Sequence, residues 1–188
     1  MTIMIYIIFI IMLFFAFASY IISRYRTCPS DKVLVVYGQT GLSRASKCTH
    51  GGGMFVLPII QDYQYIDLTP IGINININDI YLKNNLKINE MSLRLIFGIS
   101  TEEDIMENAS VYLLEKSTQE IEELAKNIAV GQIRFAISKI EKIEEIKDKD
   151  NLMENIATEI EKIFNKLGLK LINININSII DEGGKRLI

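Results

Sequence analysis

Hydrophobic and polar positions follow three different periods along this chain. Residues 1 to 23 carry no charged side chain, and Ile3 to Ile22 is almost wholly hydrocarbon. Apolar residues then alternate with polar ones, as in Ile73 to Asn78, Ile-Asn-Ile-Asn-Ile-Asn. A period of two places isoleucine on one face of a strand and asparagine on the other. Beyond Ser117 the apolar positions step by three and one through Ile121, Leu124, Ala125, Ile128, Ala129, Gln132, Ile133, Ala136, Ile137 and Ile140. That spacing is one stripe of an amphipathic helix.

The first run has the length of a membrane span. A helix rises about 1.5 Å per residue, so twenty residues cover roughly 30 Å of hydrocarbon. Thirteen Ile, Leu and Phe residues between Ile3 and Ile22 favour insertion by about 5 kcal/mol. Ile3, Ile7, Phe9, Leu13, Phe14, Phe17, Ile21 and Ile22 are the expected lipid-facing anchors. A secretory signal would have a basic start and a shorter apolar core. This run has neither, and apolar residues continue past Ala16-Phe17-Ala18 to Ile22. A buried core helix rarely lacks polar residues for so long. No Gly or Pro lies between Met1 and Ser23, so a single span is expected, with a re-entrant hairpin as the alternative. Arg24 and Arg26 follow at once. Basic residues beside a span stay on the cytoplasmic side, so the rest of the chain is expected in the cytoplasm, with Tyr20 and Tyr25 at the headgroup level.

After the span, Lys32–Tyr37, Gly53–Pro58, Asp62–Leu68, Ile73–Asn78 and Leu86–Ile99 read as strands, with a bulge near Asn89 to Met91. Gly38 to Gly53 reads as turns. Ser100-Thr101-Glu102-Glu103 and Ser117-Thr118-Gln119-Glu120 have the form of capping boxes. A further helix is expected from about Asn151 to Leu167, with Leu152, Ile156, Ile160, Ile163 and Leu167 inward and Gly168 as its left-handed stop. Leu169–Ile179 repeats the Ile/Asn alternation as a last strand. Strands, then helices, then a strand make an α+β class.

All twenty basic and twenty-three acidic residues lie after the span, for a net charge of −3. That balance argues against a nucleic-acid surface. It also argues against a grip on anionic headgroups, except locally at Arg24 and Arg26. Cys28 and Cys48 are the two cysteines. They are reduced in a cytoplasmic domain and able to pair outside one. Cys48-Thr49-His50 offers two metal ligands, and no second pair closes a tetrahedral site. Gly51-Gly52-Gly53 is not followed by Lys-Ser or Lys-Thr, so it is no P-loop. Glu102-Glu103 and Glu144-Glu145 are adjacent on helices and diverge. No catalytic, cofactor or metal residue is predicted.

Several stretches match a known family in order. They are Cys28-Pro29-Ser30-Asp31-Lys32-Val33-Leu34-Val35-Val36-Tyr37-Gly38, Lys47-Cys48-Thr49-His50-Gly51-Gly52, Pro58-Ile59-Ile60-Gln61-Asp62-Tyr63 and Leu68-Thr69-Pro70-Ile71. Phe97 to Glu102, Gln119-Glu120-Ile121, Gly131-Gln132-Ile133-Arg134 and Gly168-Leu169-Lys170-Leu171-Ile172-Asn173 follow. From about residue 28 to 184 the chain resembles bacterial flotillins of the SPFH (band 7) superfamily. The resemblance implies a curved, mostly antiparallel sheet with helices packed on it. It divides the chain into an anchor with basic residues (1–26), a β-rich subdomain (27–100), a helical subdomain with the last strand (101–182) and a tail (183–188). It implies a non-enzymatic homo-oligomeric scaffold that organises lipid and protein microdomains in the cell membrane, with an NfeD-like membrane protein as partner. Animal flotillins are acylated on cysteine, which makes Cys28 the acylation candidate. Flotillins continue into a long coiled coil, and this chain stops at Ile188, so a form truncated before the coiled coil is expected. Two other classes compete: a module regulating a membrane protease or channel, and a membrane-bound hydrolase working through Cys48 and His50.

Overall fold

A computed structural model of the chain describes residues 2–39, 46–84 and 86–188. Two compact units divide it, Met1–Ile66 and Asp67–Ile188. The first runs through α1 (Thr2–Ser23), β1 (Tyr25–Thr27), β2 (Lys32–Gly38), β3 (Ser46–Thr49), β4 (Gly53–Phe55) and β5 (Gln61–Asp67). The second holds β6 (Ile71–Tyr81), β7 (Lys87–Ile99), α2 (Glu103–Tyr112), α3 (Thr118–Ser138), α4 (Ile143–Lys147), α5 (Lys149–Leu167) and β8 (Leu169–Asp181). The class is α+β, as expected.

In the first unit, β1 pairs β4 in one antiparallel ribbon, and β3-β2-β5 form a separate sheet. Cys28, Leu34, Val36 and Val56 make the buried cluster, with Met54, Tyr63 and Tyr65 packed against it. Tyr63 and Tyr65 share a face as their spacing requires, with ring centroids 5.8 Å apart. Gly38 ends β2 at φ 102°, where an added Cβ would lie 2.5 Å from the Ile60 carbonyl oxygen. Only glycine fits both the torsion and the space.

In the second unit the antiparallel order is β6-β7-β8. Ile73, Ile75 and Ile77 are buried, and Asn74, Asn76 and Asn78 between them are exposed. Leu93, Leu95 and Phe97 of β7 continue the apolar face. α3 packs on β6, and α5 packs on β8 and α3. The buried stripe of α3 is Ile121, Ala125, Ala129, Ile133, Ala136 and Ile137. Its alanines let the helix backbone lie close to its neighbours. Phe164 of α5 meets Phe97 edge-on at 5.6 Å. At the end of β6, Asp79 takes a left-handed φ of 56°. The Arg134 guanidinium on α3 donates to the carbonyls of Asn78 at 2.9 Å and Asp79 at 3.0 Å. That fork holds the unusual torsion and occupies acceptors of the strand.

Several expectations need correction. Ser100 does not cap a helix. Its N–H donates to the Gly168 carbonyl at 2.9 Å, and its hydroxyl accepts only from the Glu102 N–H at 3.2 Å. The helix therefore starts later, at Glu103, with no side-chain cap. The stretch expected to be turns between Gly38 and Gly53 contains strand β3, recruited by pairing with β2. Its residues 40–45 lie outside the described residues. On α5 the last fully buried residue is Phe164, while Ile163 and Leu167 are half-buried. The β8 alternation is interrupted by register shifts opposite Ser92/Leu93 and Ile96/Phe97, which leave Ile172 exposed. Strand β1 and helix α4 were not foreseen. The Ser117 capping box, the bulge at Asn89 and the Gly168 stop are present.

Two glycines should answer oppositely to alanine. Gly168 sits at φ 85°, and an added Cβ would lie 2.2 Å from the Ala109 backbone nitrogen. Gly168→Ala is expected to destabilise the fold by about 2–4 kcal/mol, from the left-handed torsion plus the displacement of α2. Gly131 lies inside α3 with open space around its Cβ position, so Gly131→Ala should stabilise by about 1 kcal/mol. Urea unfolding followed by circular dichroism in detergent measures both.

A pH test follows from the Ser117 cap. The Glu120 carboxylate accepts from the Ser117 backbone N–H at 2.7 Å and from its hydroxyl at 2.8 Å. These bonds hold its pKa below the ordinary value, the backbone bond contributing most. A depressed pKa gives stability that is complete above the unfolded value and lost as pH falls through the folded one. The helical signal should therefore weaken on acidification below about pH 4.3, and Ser117→Ala should make that acid limb shallower.

Candidate membrane anchor and juxtamembrane cleft

α1 is apolar on every side. Ile3, Ile7, Phe9, Leu13, Phe14, Phe17, Ile21 and Ile22 are all exposed around its circumference. A helix apolar all round needs an apolar solvent or a packed core, and none of this helix is buried. Among the described residues it is the one helix long and apolar enough to cross a membrane. Its last turn closes locally: the Ser23 hydroxyl donates to the Tyr20 carbonyl at 2.7 Å, and the Arg24 N–H to Ile21 at 3.0 Å.

One residue separates this helix from the β structure. α1 ends at Ser23 and β1 begins at Tyr25. Between them the Arg24 carbonyl already accepts from the Val56 N–H at 3.0 Å, and the ladder continues through Tyr25↔Phe55, Arg26↔Met54 and Thr27↔Gly53. Extended backbone sends alternate side chains to opposite faces. Tyr25 therefore goes one way, stacking edge-on against Phe55 at 5.0 Å. Arg26 goes the other, and Arg24 sits in the turn between α1 and β1. The Arg24 guanidinium lies 4.7 Å from the Tyr20 ring centroid, and that of Arg26 lies 4.8 Å from the Tyr63 ring.

Both arginines line one cleft of about 430 Å³, together with Pro58, Ile59, Ile60 and Tyr63. Its apolar rim is a rigid turn. The Leu57 carbonyl accepts from the N–H groups of Ile60 (3.1 Å) and Gln61 (2.8 Å), and the Gln61 side chain accepts from Leu57 N–H at 3.0 Å. The turn leaves Leu57, Ile59 and Ile60 exposed, Ile59 with 92% of its surface free. Asp62 also lines the cleft, and its carboxylate accepts from the Tyr63 N–H at 2.8 Å. The Arg24 Nε is buried with no hydrogen-bond partner among the described residues.

Cys28, the acylation candidate, stands at the other side of the ribbon. It is 8% exposed within the first unit's core, and its thiol donates toward the carbonyls of Lys32 at 3.1 Å and Thr49 at 3.3 Å. Acylation there requires the core to open first. No disulfide joins Cys28 and Cys48. His50 Nδ1 lies 3.2 Å from the Lys32 carbonyl oxygen, which orients the ring. Among the described residues no three His, Cys, Asp or Glu side chains converge as a metal site. The cleft was missed in the sequence, where Arg24 and Arg26 read only as orientation charges. Their spacing of two directly after the apolar run was the available signal.

The model of the SPFH domain / Band 7 family matches residues 26–183. Flotillin-like protein FloT of Bacillus subtilis (strain 168) is 24% identical over 183 residues, covering 92% of this chain and 35% of the relative. Flotillin-1 of Pongo abelii is 23% identical and Flotillin-1 of Homo sapiens 22%, each covering 83% of this chain and 36% of the relative. The chain thus spans about a third of the length of these relatives.

Thiol accessibility checks the placement of Cys28. A maleimide should react with half-exposed Cys48 at least about tenfold faster than with Cys28 in the folded protein, and equally with both in denaturant. Equal rates under native conditions contradict the burial of Cys28.

Proposed function

We propose, from the premise that this chain belongs to the SPFH domain / Band 7 family, that it is a membrane-anchored scaffold which self-associates and organises lipid and protein in its vicinity. A membrane-associated scaffold role is the family-level property of its flotillin homologues. Self-association and microdomain organisation are our extension to this chain. The observation that carries the reading is the direct joint between an apolar helix of span length and a family domain. Anchoring confines the domains to two dimensions and raises their effective concentration, so weak lateral contacts suffice. The helix acts as a single-pass anchor, and Arg24 and Arg26 keep the following units on the cytoplasmic side. We assign the chain no catalytic step, in keeping with a family that is generally non-enzymatic. Partners in this reading are membrane lipids, further copies of the chain and an NfeD-like membrane protein.

Cross-linking of the full chain in native membranes tests this. Products larger than a dimer, and punctate foci of a fluorescent fusion, are expected. Deletion of residues 2–23 should release the protein from membranes and reduce cross-linking by an order of magnitude or more, through the loss of effective concentration. A protein that stays monomeric and evenly spread in the membrane contradicts the scaffold reading.

A further inference from the structure

We infer that the cleft beside the membrane helix is a binding site for the phosphate headgroup of an anionic phospholipid, taken from the leaflet in which α1 ends. The inference rests on the membrane-anchored part of the preceding reading and adds a ligand to it.

Four observations carry it. First, two guanidinium-bearing residues line the one cleft, Arg24 in the turn after α1 and Arg26 in β1. Guanidinium is the side chain best matched to phosphate, because its planar donors pair with phosphate oxygens in a fork. Second, neither arginine has an ion pair or side-chain hydrogen bond among the described residues. Each rests on an aromatic ring, Arg24 on Tyr20 and Arg26 on Tyr63. Ring faces fix a guanidinium in place and leave its N–H edges free to donate. The Arg24 Nε is moreover a buried donor with no acceptor among the described residues, and a donor in that condition costs free energy until something supplies one. Third, the cleft is also lined by apolar side chains: Pro58, Ile59 and Ile60 sit on a hydrogen-bonded turn, and Ile59 and Ile60 are exposed. A free phosphate has no use for such a lining. A phospholipid does, because its glycerol and first methylenes adjoin the phosphate. Fourth, the site is at the right depth. Arg24 is the residue immediately after α1, so the cleft opens where hydrocarbon gives way to headgroups.

Net charge separates the anionic from the zwitterionic headgroup. The cleft carries two cations and one carboxylate, Asp62, which is engaged with the Tyr63 N–H. A headgroup bringing its own ammonium would place a cation among arginines. A phosphatidylglycerol-type headgroup brings only the phosphate charge and hydroxyls.

The test uses the full chain in nanodiscs of phosphatidylcholine with a minor fraction of phosphatidylglycerol. Lipids retained after gentle detergent extraction are counted by native mass spectrometry. Phosphatidylglycerol should be enriched over its bilayer fraction by roughly fivefold for each arginine that contributes. Arg24→Gln/Arg26→Gln should return retention to the bilayer composition. Ile59→Ser gives a second reading that cannot be blamed on misfolding, since that side chain is 92% exposed. It should lower total lipid retention severalfold and leave the protein's thiol protection unchanged. Excess inorganic phosphate should not displace the lipid. Retention that mirrors the bilayer in the natural sequence overturns the inference. So does enrichment that survives the double arginine substitution, unchanged retention in Ile59→Ser, or displacement by inorganic phosphate. Failure of the chain to remain with the nanodisc refutes membrane anchoring itself. Cross-linked oligomers measured in the same sample report on the scaffold reading separately.

Discussion

The strict exchange of isoleucine and asparagine along β6 constrains the second unit more than any other feature. Ile73, Ile75 and Ile77 face the helices, and Asn74, Asn76 and Asn78 face away. A slip of one residue against β7 would expose every isoleucine and bury every asparagine. At about 2 kcal/mol for each lost isoleucine burial and a similar cost for each unpaired amide, the penalty is roughly 10 kcal/mol, comparable with the net stability of a whole domain. The pairing register of β6 and β7 therefore has no near competitor. With it set, Leu93 and Leu95 of β7 are buried, Phe97 meets Phe164, and α3 reaches the end of β6 through Arg134.

The parts legible in the sequence are those where one local rule acts alone. The period of β6, the three-and-one stripe of α3, the box at Ser117 and the left-handed stop at Gly168 are each decided by residues adjacent in the chain. The parts that were not legible are decided by distant partners. Ser100 has the right neighbours for a cap, and the Gly168 carbonyl 68 residues away takes its N–H instead. β3 is a strand because β2 lies beside it, not because Ser46–Thr49 has a strand's composition. β8 repeats the Ile/Asn pattern of β6 and yet cannot follow it, since two register shifts re-aim its side chains.

The same division separates the anchor from the cleft. An anchor is a matter of composition and length, so α1 was readable at once. The cleft needs Arg24 and Arg26, the turn at Leu57–Gln61 and Tyr63 of β5 brought to one place. No single stretch of chain announces that. The cysteines show the converse. Cys28 lies near the span in sequence, and the β1–β4 ribbon together with β2 encloses it, so nearness in sequence to the bilayer does not make its thiol available. Membership of the SPFH domain / Band 7 family accounts for the order of the matched segments, and the physical roles of those segments differ: Gly38 and Gly168 serve packing, while Pro58 to Tyr63 shapes a surface.

The single residue between α1 and β1 has a mechanical consequence. A peptide unit is rigid, so a one-residue joint offers only two soft torsions, and the carbonyl of Arg24 is already held by Val56. Little slack is left to decouple the rod from the ribbon. A helix that tilts to match a thinner or thicker bilayer must turn the β1–β4 ribbon with it. A change in bilayer thickness would thereby become a change in the angle between the ribbon and the membrane normal.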